Sequence, residues 1–226
     1  IDPQQRLFLQ TVWKTVEDAG YRMSDLSGTQ TGLFVGVAMN DYAELLGRYM
    51  TTMDAYASTG MARSVLANRI SYLFNFHGPS EPIDTACSSS LIAVHRAVEA
   101  IHSGSCDRAI AGGVNIMLTP TATISFDKAG MLSPNGRCRT FDESADGYVR
   151  GEGVGAVFLK PLLRALEDGD HVYTVIRAAA ENHGGHANSL TAPNPKAQAR
   201  LLIAAYEKAG ISPGTVGYIE AHGTGT

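Results

Sequence analysis

Cys87 stands inside "DTACSSSLIAVH" (84–95), between a short extended stretch and a run that reads as a buried helix. At a helix start, unbonded N–H groups and the positive end of the helix dipole favour an anion, which suits a thiolate. Ser88, Ser89 and Ser90 can cap that start and keep the side chains beside the sulfur small. A cysteine nucleophile attacking a carbonyl carbon needs these conditions. The same residues also fit a quiet structural cysteine, because free cysteine is among the most buried residue types. A second feature is "EAHGTGT" (220–226), which puts His222 just past an expected strand and ahead of a glycine-threonine loop. At the C-terminal end of a strand in an open α/β sheet, such a side chain projects into the crevice where ligands bind. Gly223 and Gly225 let backbone approach a substrate, and Thr224 and Thr226 offer hydroxyls to amide groups. Taken alone, a histidine there is more often an ordinary loop residue.

The elements that must hold these residues follow from hydrophobic spacing. Phe8, Val12, Val16 and Ala19 make a helical stripe over 3–19 that Gly20 ends, and "TGLFVGV" (31–37) reads as a strand. Leu66, Ile70, Leu73 and Phe74 form a second helical face, and "EPIDT" is a strand leading into Cys87. From Ser88 to Ser103 the polar residues Arg96, Glu99 and His102 form one narrow stripe, which predicts a mostly buried helix. "DRAIAGGVNIML" is continuous enough in apolar residues for a central strand. "GAVFLKPL" and "VYTVIRAAA" read as neighbouring strands joined by a turn near Glu167–Asp170; 196–209 reads as a helix capped by Gly210, and "VGYIEAH" as the last strand. Strands alternating with helices imply an α/β layered fold. The polar stretch 119–152 is too long for an ordinary connection, which points to function.

The chain has 226 residues, 44% of them hydrophobic, and a formal net charge of −4. That length can bury a real core, as one large or two small domains. The absence of any lysine or arginine run argues against a nucleic-acid surface. No apolar run approaches the ~20 residues that span a bilayer, and the first residues do not read as a secretory signal. Cys87, Cys106 and Cys138 are widely and unequally spaced, which suggests no disulfide framework and makes a reducing cytoplasm the expected compartment. Cys106 and Cys138 lack a histidine or helix-start context and are expected to be inert. His183 and His186 in "ENHGGHANS" have a spacing that can suit a metal, but no carboxylate or thiol recurs nearby at ligand spacing. Asp142, Asp146, Arg150 and Glu152 read chiefly as a structural ion-pair and hydrogen-bond network. "GEGVG" leads into a strand, not a helix, and does not make a phosphate loop.

Together, "DTACSSSLIAVH" and "EAHGTGT" resemble the active-site signatures of β-ketoacyl synthases, particularly the ketosynthase domains of modular polyketide synthases. The resemblance runs the length of the chain, through "DPQQRLFLQTVWKTVEDAGY", "LANRISYLFNFHGPS", "AIAGGVNIMLTP", "GMLSPNGRCRTFDESADGYVRGEGVG" and "LTAPNPKAQ", in family order. It implies an α/β thiolase-like layered fold (α-β-α-β-α, mixed sheets), with residues 1–178 most of the N-terminal half and 179–226 the start of the C-terminal half. It also implies a homodimer, and acyl carrier protein domains as partners. Substrates would arrive on the carriers' phosphopantetheine arms, with no cofactor of the chain's own. Cys87 matches the family nucleophile and His222 the first of two catalytic histidines. Thr224 and Thr226 match threonines that hydrogen-bond the pantetheine arm, and the N–H of Cys87 would be one oxyanion donor. The implied reaction is decarboxylative condensation of an acyl chain on Cys87 with a malonyl-type extender.

Alternatives on the same residues are a non-elongating ketosynthase that only transfers acyl chains, a fatty-acid-type synthase, a thiolase-type or hydrolytic site, and a non-catalytic partner subunit. Partner subunits typically lack the cysteine, and non-elongating members often lose the histidine; both are present here. The loop "ENHGGHANS" resembles that of ketosynthases served by a free-standing acyltransferase. The family's first strand, downstream lysine, second histidine and Gly-Phe oxyanion loop find no match between "IDPQQR" and "HGTGT". These 226 residues are therefore expected to be a partial domain, inactive by themselves. If the helix start activates Cys87, limiting iodoacetamide at neutral pH should alkylate it before Cys106 and Cys138 in the complete protein. Peptide mapping reads the order, and equal labelling of the three would contradict it.

Overall fold

In the computed structural model, residues 1–49 and 54–226 are described. They form α1 (Pro3–Asp18), α2 (Met23–Leu26), β1 (Thr31–Gly36), α3 (Asp41–Tyr49), α4 (Ala57–Met61), α5 (Arg63–Phe74) and β2 (Ser80–Ile83). There follow α6 (Ser89–His102), β3 (Arg108–Asn115), α7 (Thr121–Lys128), β4 (Gly153–Leu159), α8 (Leu162–Glu167) and α9 (Pro195–Ala209). The strands make one sheet in the order β2-β1-β3-β4, with β1 parallel to β2 and β3, and β4 antiparallel to β3.

Strand periodicity explains the layers. Side chains alternate across a strand, so Leu33 and Val35 of β1 face one side and Phe34 the other. The first side receives Phe8, Val12 and Val16 of α1 with Leu66 and Ile70 of α5; the second receives Ala93 and Ala97 of α6. The stripe of α1 at spacing four is thus the one read from sequence. Its start is fixed by Pro3 in the first turn and by the Asp2 carboxylate, which accepts the Gln4 N–H at 2.8 Å. α9 is closed by Gly210 in the left-handed region, φ +63°, as expected.

The small residues of α6 and the glycines of the sheet set how closely the helix approaches. A Cβ on Gly36 would lie 2.6 Å from the Ser90 nitrogen, and one on Gly113 would lie 2.9 Å from the Ser90 Cβ. The first turn of α6 therefore rests directly on β1 and β3. At the opposite end of the sheet, the Lys160 ammonium reaches the Tyr21 hydroxyl at 2.7 Å and Asp170 at 2.6 Å, and also pairs with Asp168. Burial opposes the charge, but these bonds outweigh it and hold the Lys160 pKa above its ordinary value. The cluster ties the end of β4 to the chain leaving α1.

Several expectations need correction. Residues 172–180 and 216–222 are not strands: neither joins a ladder among the described residues. β-branched and aromatic residues make a segment able to pair, but a strand exists only with a partner edge, and the antiparallel neighbour of β4 is β3. The turn expected near Glu167–Asp170 is preceded by α8 and made at Gly169, φ +72°. The stretch 119–152 contains α7, which its polar composition hid. On α5, Leu73 lies outside the core at 53% exposure. The helix expected over 88–103 is covered on one side only: Ser89, Ala93 and Ala97 are buried, whereas Leu91 is 74% exposed. His95 is buried as well, with Nε2 3.3 Å from Glu99, although sequence reading did not single it out. Among the described residues, no helix is long and apolar enough to cross a membrane.

The contact at Gly36 should be measurable. Gly36→Ala should destabilise the protein by about 2 kcal/mol or more by forcing α6 off the sheet. Gly155→Ala, where an added Cβ meets nothing within 4 Å, should be nearly neutral. Thermal denaturation of the two variants decides it; equal melting temperatures would remove the packing argument.

Candidate active site

Cys87 lies where β2 passes into α6. The helix expected to start around it begins at Ser89, and Cys87 itself occupies a short 3-10 turn over Ala86–Ser88, exposed to solvent. The turn is closed by its own side chains. The Asp84 carboxylate, paired with Arg63, accepts the Ala86 N–H at 3.2 Å. The Ser89 hydroxyl accepts the Thr85 N–H at 2.9 Å and donates to the Ala86 carbonyl at 2.7 Å. The Ser88 hydroxyl donates to the Thr85 carbonyl at 3.0 Å. Ser88, at the cap position, makes no side-chain bond into α6, so its expected capping role is replaced by turn closure. Short hydroxyl side chains compete readily for nearby backbone groups. Ala86 takes φ +55°, a left-handed conformation that an L-residue adopts only when its surroundings hold it there. This strained turn lifts Cys87 away from the sheet at the end of β2.

The loop between α7 and β4 folds back on itself. The Tyr148 N–H donates to the Met131 carbonyl and the Ser133 N–H to the Tyr148 carbonyl, both at 3.0 Å. Asp146 accepts from the Ser133 hydroxyl at 2.7 Å and the Asn135 amide at 3.0 Å, and these bonds hold its carboxyl below the usual range. Asp142 accepts the Ser144 N–H at 2.8 Å and its hydroxyl at 2.5 Å, and is likewise depressed. Glu152 accepts the Met117 N–H at 2.7 Å, and Arg150 lies over the Phe126 ring while donating to Thr123. The four residues read as an ion-pair and hydrogen-bond network are thus held by hydrogen bonds to separate partners and not by pairing with one another; the arginine that faces Asp146 is Arg139, at 3.9 Å.

His222, Thr224 and Thr226 lie against this loop. The Thr140 hydroxyl donates to the Gly223 carbonyl at 2.5 Å, and the Gly147 N–H donates to the Gly225 carbonyl at 3.0 Å. A Cβ on Gly225 would come within 3.0 Å of the Arg139 backbone, so only glycine allows that approach. The Thr224 and Thr226 hydroxyls lie 3.1 Å apart on one side of the segment. Tyr148, next to Gly147, lies within the electrostatic reach of Cys87. Its phenol pKa is raised by burial, lowered by Arg150 and raised again by the negative charge that Cys87 can carry. Gly147 thus ties the loop to the His222 segment. Sequence reading passed over Thr140, Gly147, Tyr148 and Arg63; the length of the polar stretch was the signal available for three of them.

The other cysteines differ in setting. Cys106 is buried, and burial pushes its thiol pKa up, against a hydrogen bond from the Gly32 N–H that lowers it and Asp107, which raises it. Cys138 is exposed, with its sulfur accepting the Val149 N–H at 3.2 Å. His183 accepts the Gly185 N–H on Nδ1 at 2.9 Å. No group of three or more His, Cys, Asp or Glu among the described residues could hold a metal ion.

Comparison with known proteins agrees with the resemblance. The polyketide synthase PksN of Bacillus subtilis is 56% identical over 226 residues, and the polyketide synthase ThaG of Burkholderia thailandensis 52%; both matches cover the whole chain. The chain spans only 4% of the length of each. Among solved structures, the oxazolomycin ketosynthase domain OzmH KS7 of Streptomyces albus superposes with a TM-score of 0.92 at 47% identity, covering all of this chain and 39% of that one. The ketosynthase from module 6 of the bacillaene synthase of Bacillus subtilis gives 0.92 at 43% identity, covering all of this chain and 38% of that one. The fold is thus the thiolase-like one, of which the described residues build one sheet and its flanking helices. The family models for the N-terminal and C-terminal domains of β-ketoacyl synthase match residues 1–165 and 173–226 respectively. A match that runs through both halves in order means that the chain belongs to the β-ketoacyl synthase family.

Proposed function

We propose that the protein containing this chain joins an acyl chain to a malonyl-type extender by decarboxylative condensation, in polyketide assembly. The observations that support the reading are the strained, exposed turn that presents Cys87 and the His222 segment held on the polar loop through Thr140 and Gly147. In the first half-reaction, the Cys87 thiolate attacks the thioester carbonyl of an acyl chain on a carrier protein. The carrier thiol leaves and an acyl-Cys87 thioester forms, an exchange of one thioester for another. In the second, the extender loses carbon dioxide, and the electron pair of the broken bond becomes an enolate with charge on its thioester oxygen. His222 donates an N–H to that oxygen. The enolate carbon attacks the acyl-Cys87 carbonyl, the new carbon–carbon bond forms, and the Cys87 thiolate leaves. Thr224 and Thr226, with their hydroxyls on one side of the segment, suit the amides of the arriving pantetheine arm.

Carrier protein domains follow as partners from this chemistry, and the pairing of two ketosynthase subunits from the family. The loop "ENHGGHANS" (181–189) supports a free-standing acyltransferase as the source of the extender. An acyltransferase domain fused directly behind the ketosynthase in the adjoining coding sequence would count against that partner.

The two roles separate by half-reaction. In the complete protein, Cys87→Ala should abolish the acyl-enzyme seen by mass spectrometry. His222→Ala should still acylate, but lose about 100- to 1,000-fold in release of carbon dioxide from malonyl-carrier protein. Loss of acylation in His222→Ala, with decarboxylation intact, would reverse the assignment.

A further inference from the structure

The loop ending at Thr226 is held from outside by very little. Among the described residues, two hydrogen bonds reach the stretch 216–226 from beyond residue 212, those from Thr140 and Gly147. The Gly147 bond is backbone to backbone; the Thr140 bond comes from a side chain. Gly223 packs closely on the same residue, since a Cβ there would lie 3.0 Å from the Thr140 Cγ2 and 3.1 Å from its Oγ1. His222 immediately precedes Gly223, so the bond that Thr140 makes holds the backbone beside it.

The turn carrying Thr140 is itself constrained. Phe141 takes φ +60° while 91% exposed, so no burial of its ring accounts for the left-handed backbone. What holds the backbone there is the polar frame around it. The Asp142 N–H donates to the Arg139 carbonyl at 3.2 Å, Asp142 accepts from Ser144, and Arg139 donates to the Ser144 carbonyl at 3.1 Å. This frame reverses the chain at Phe141 and leaves the Thr140 hydroxyl aimed at the Gly223 carbonyl.

We propose that Thr140 is a positioning residue for the decarboxylative half-reaction: its hydroxyl holds the Gly223 carbonyl and thereby sets the His222 imidazole against the enolate oxygen. The proposal rests on the role given to His222 above. Thr140 touches neither substrate nor Cys87 in this scheme, so acylation should be insensitive to it.

The test uses the complete synthase with Thr140→Val, Thr140→Ser and His222→Ala. Thr140→Val keeps the shape and removes the hydroxyl. It should lower the kcat of decarboxylation by about fivefold to tenfold, in line with loss of one hydrogen bond, with the KM for malonyl-carrier protein unchanged. Its acylation rate and melting temperature should match the parent, and Thr140→Ser should recover decarboxylation. Equal losses in both half-reactions, an undiminished kcat, or failure of Thr140→Ser to restore it would each overturn the proposal. A decline in His222→Ala without one in Thr140→Val removes only the role of Thr140. No decline in His222→Ala removes the reading of His222 itself, and Thr140 with it.

Discussion

Gly147 holds the segment that carries His222. Its N–H bonds to the Gly225 carbonyl, and its backbone, at φ +139°, presses against Leu132 so closely that a Cβ would lie 2.5 Å from the Leu132 carbonyl carbon. A side chain at this position would need both a disfavoured backbone and space that Leu132 occupies. Cys87 and His222 are far apart in the chain and belong to segments matched by different family models. A loop without regular secondary structure, closed by hydrogen bonds to Asp142 and Asp146, holds the second of these segments. Such closure suits a loop that must present backbone at a defined place, because the Asp146 carboxylate ties the arm at Ser133 and Asn135 to the arm that carries Gly147.

The nucleophile depends on a second constraint, the close contact between α6 and the sheet. Gly36 and Gly113 remove side chains beneath Ser89 and Ser90, and the turn over Ala86–Ser88 is then squeezed between a fixed strand end and a fixed helix start. The left-handed Ala86 is the local cost of joining the two across so short a span. Arg63, by pairing with Asp84, anchors that turn to α5. Packing on the sheet and polar closure at the turn thus act on the same few residues.

Much of this was legible in sequence, for identifiable reasons. β1 and β3 are buried strands with continuous apolar character, and α1 and α9 carry caps as well as stripes, so local pattern and tertiary role agree. Cys87 and His222 stood out because their two segments together resemble the active-site signatures of one family, although each residue alone also fits an ordinary structural place. Residues 172–180 and 216–222 looked like strands because they are short runs rich in β-branched and aromatic residues, yet ladder pairing depends on a neighbour that composition does not name. α7 was hidden by its serine, threonine and aspartate content. Thr140 carried no signal: a threonine in a polar stretch becomes meaningful only when a carbonyl from the far end of the chain is found at its hydroxyl.

The proposed chemistry needs the His222 segment, held at Thr140 and Gly147, to reach the Cys87 turn. An experimental structure of the complete domain, acylated on Cys87, tests it most directly. The account requires the Gly147 N–H on the Gly225 carbonyl, the Thr140 hydroxyl on the Gly223 carbonyl, and the His222 ring facing the acyl-bearing sulfur. A structure in which the His222 segment is held by other residues and stands clear of the Thr140–Tyr148 loop would contradict it.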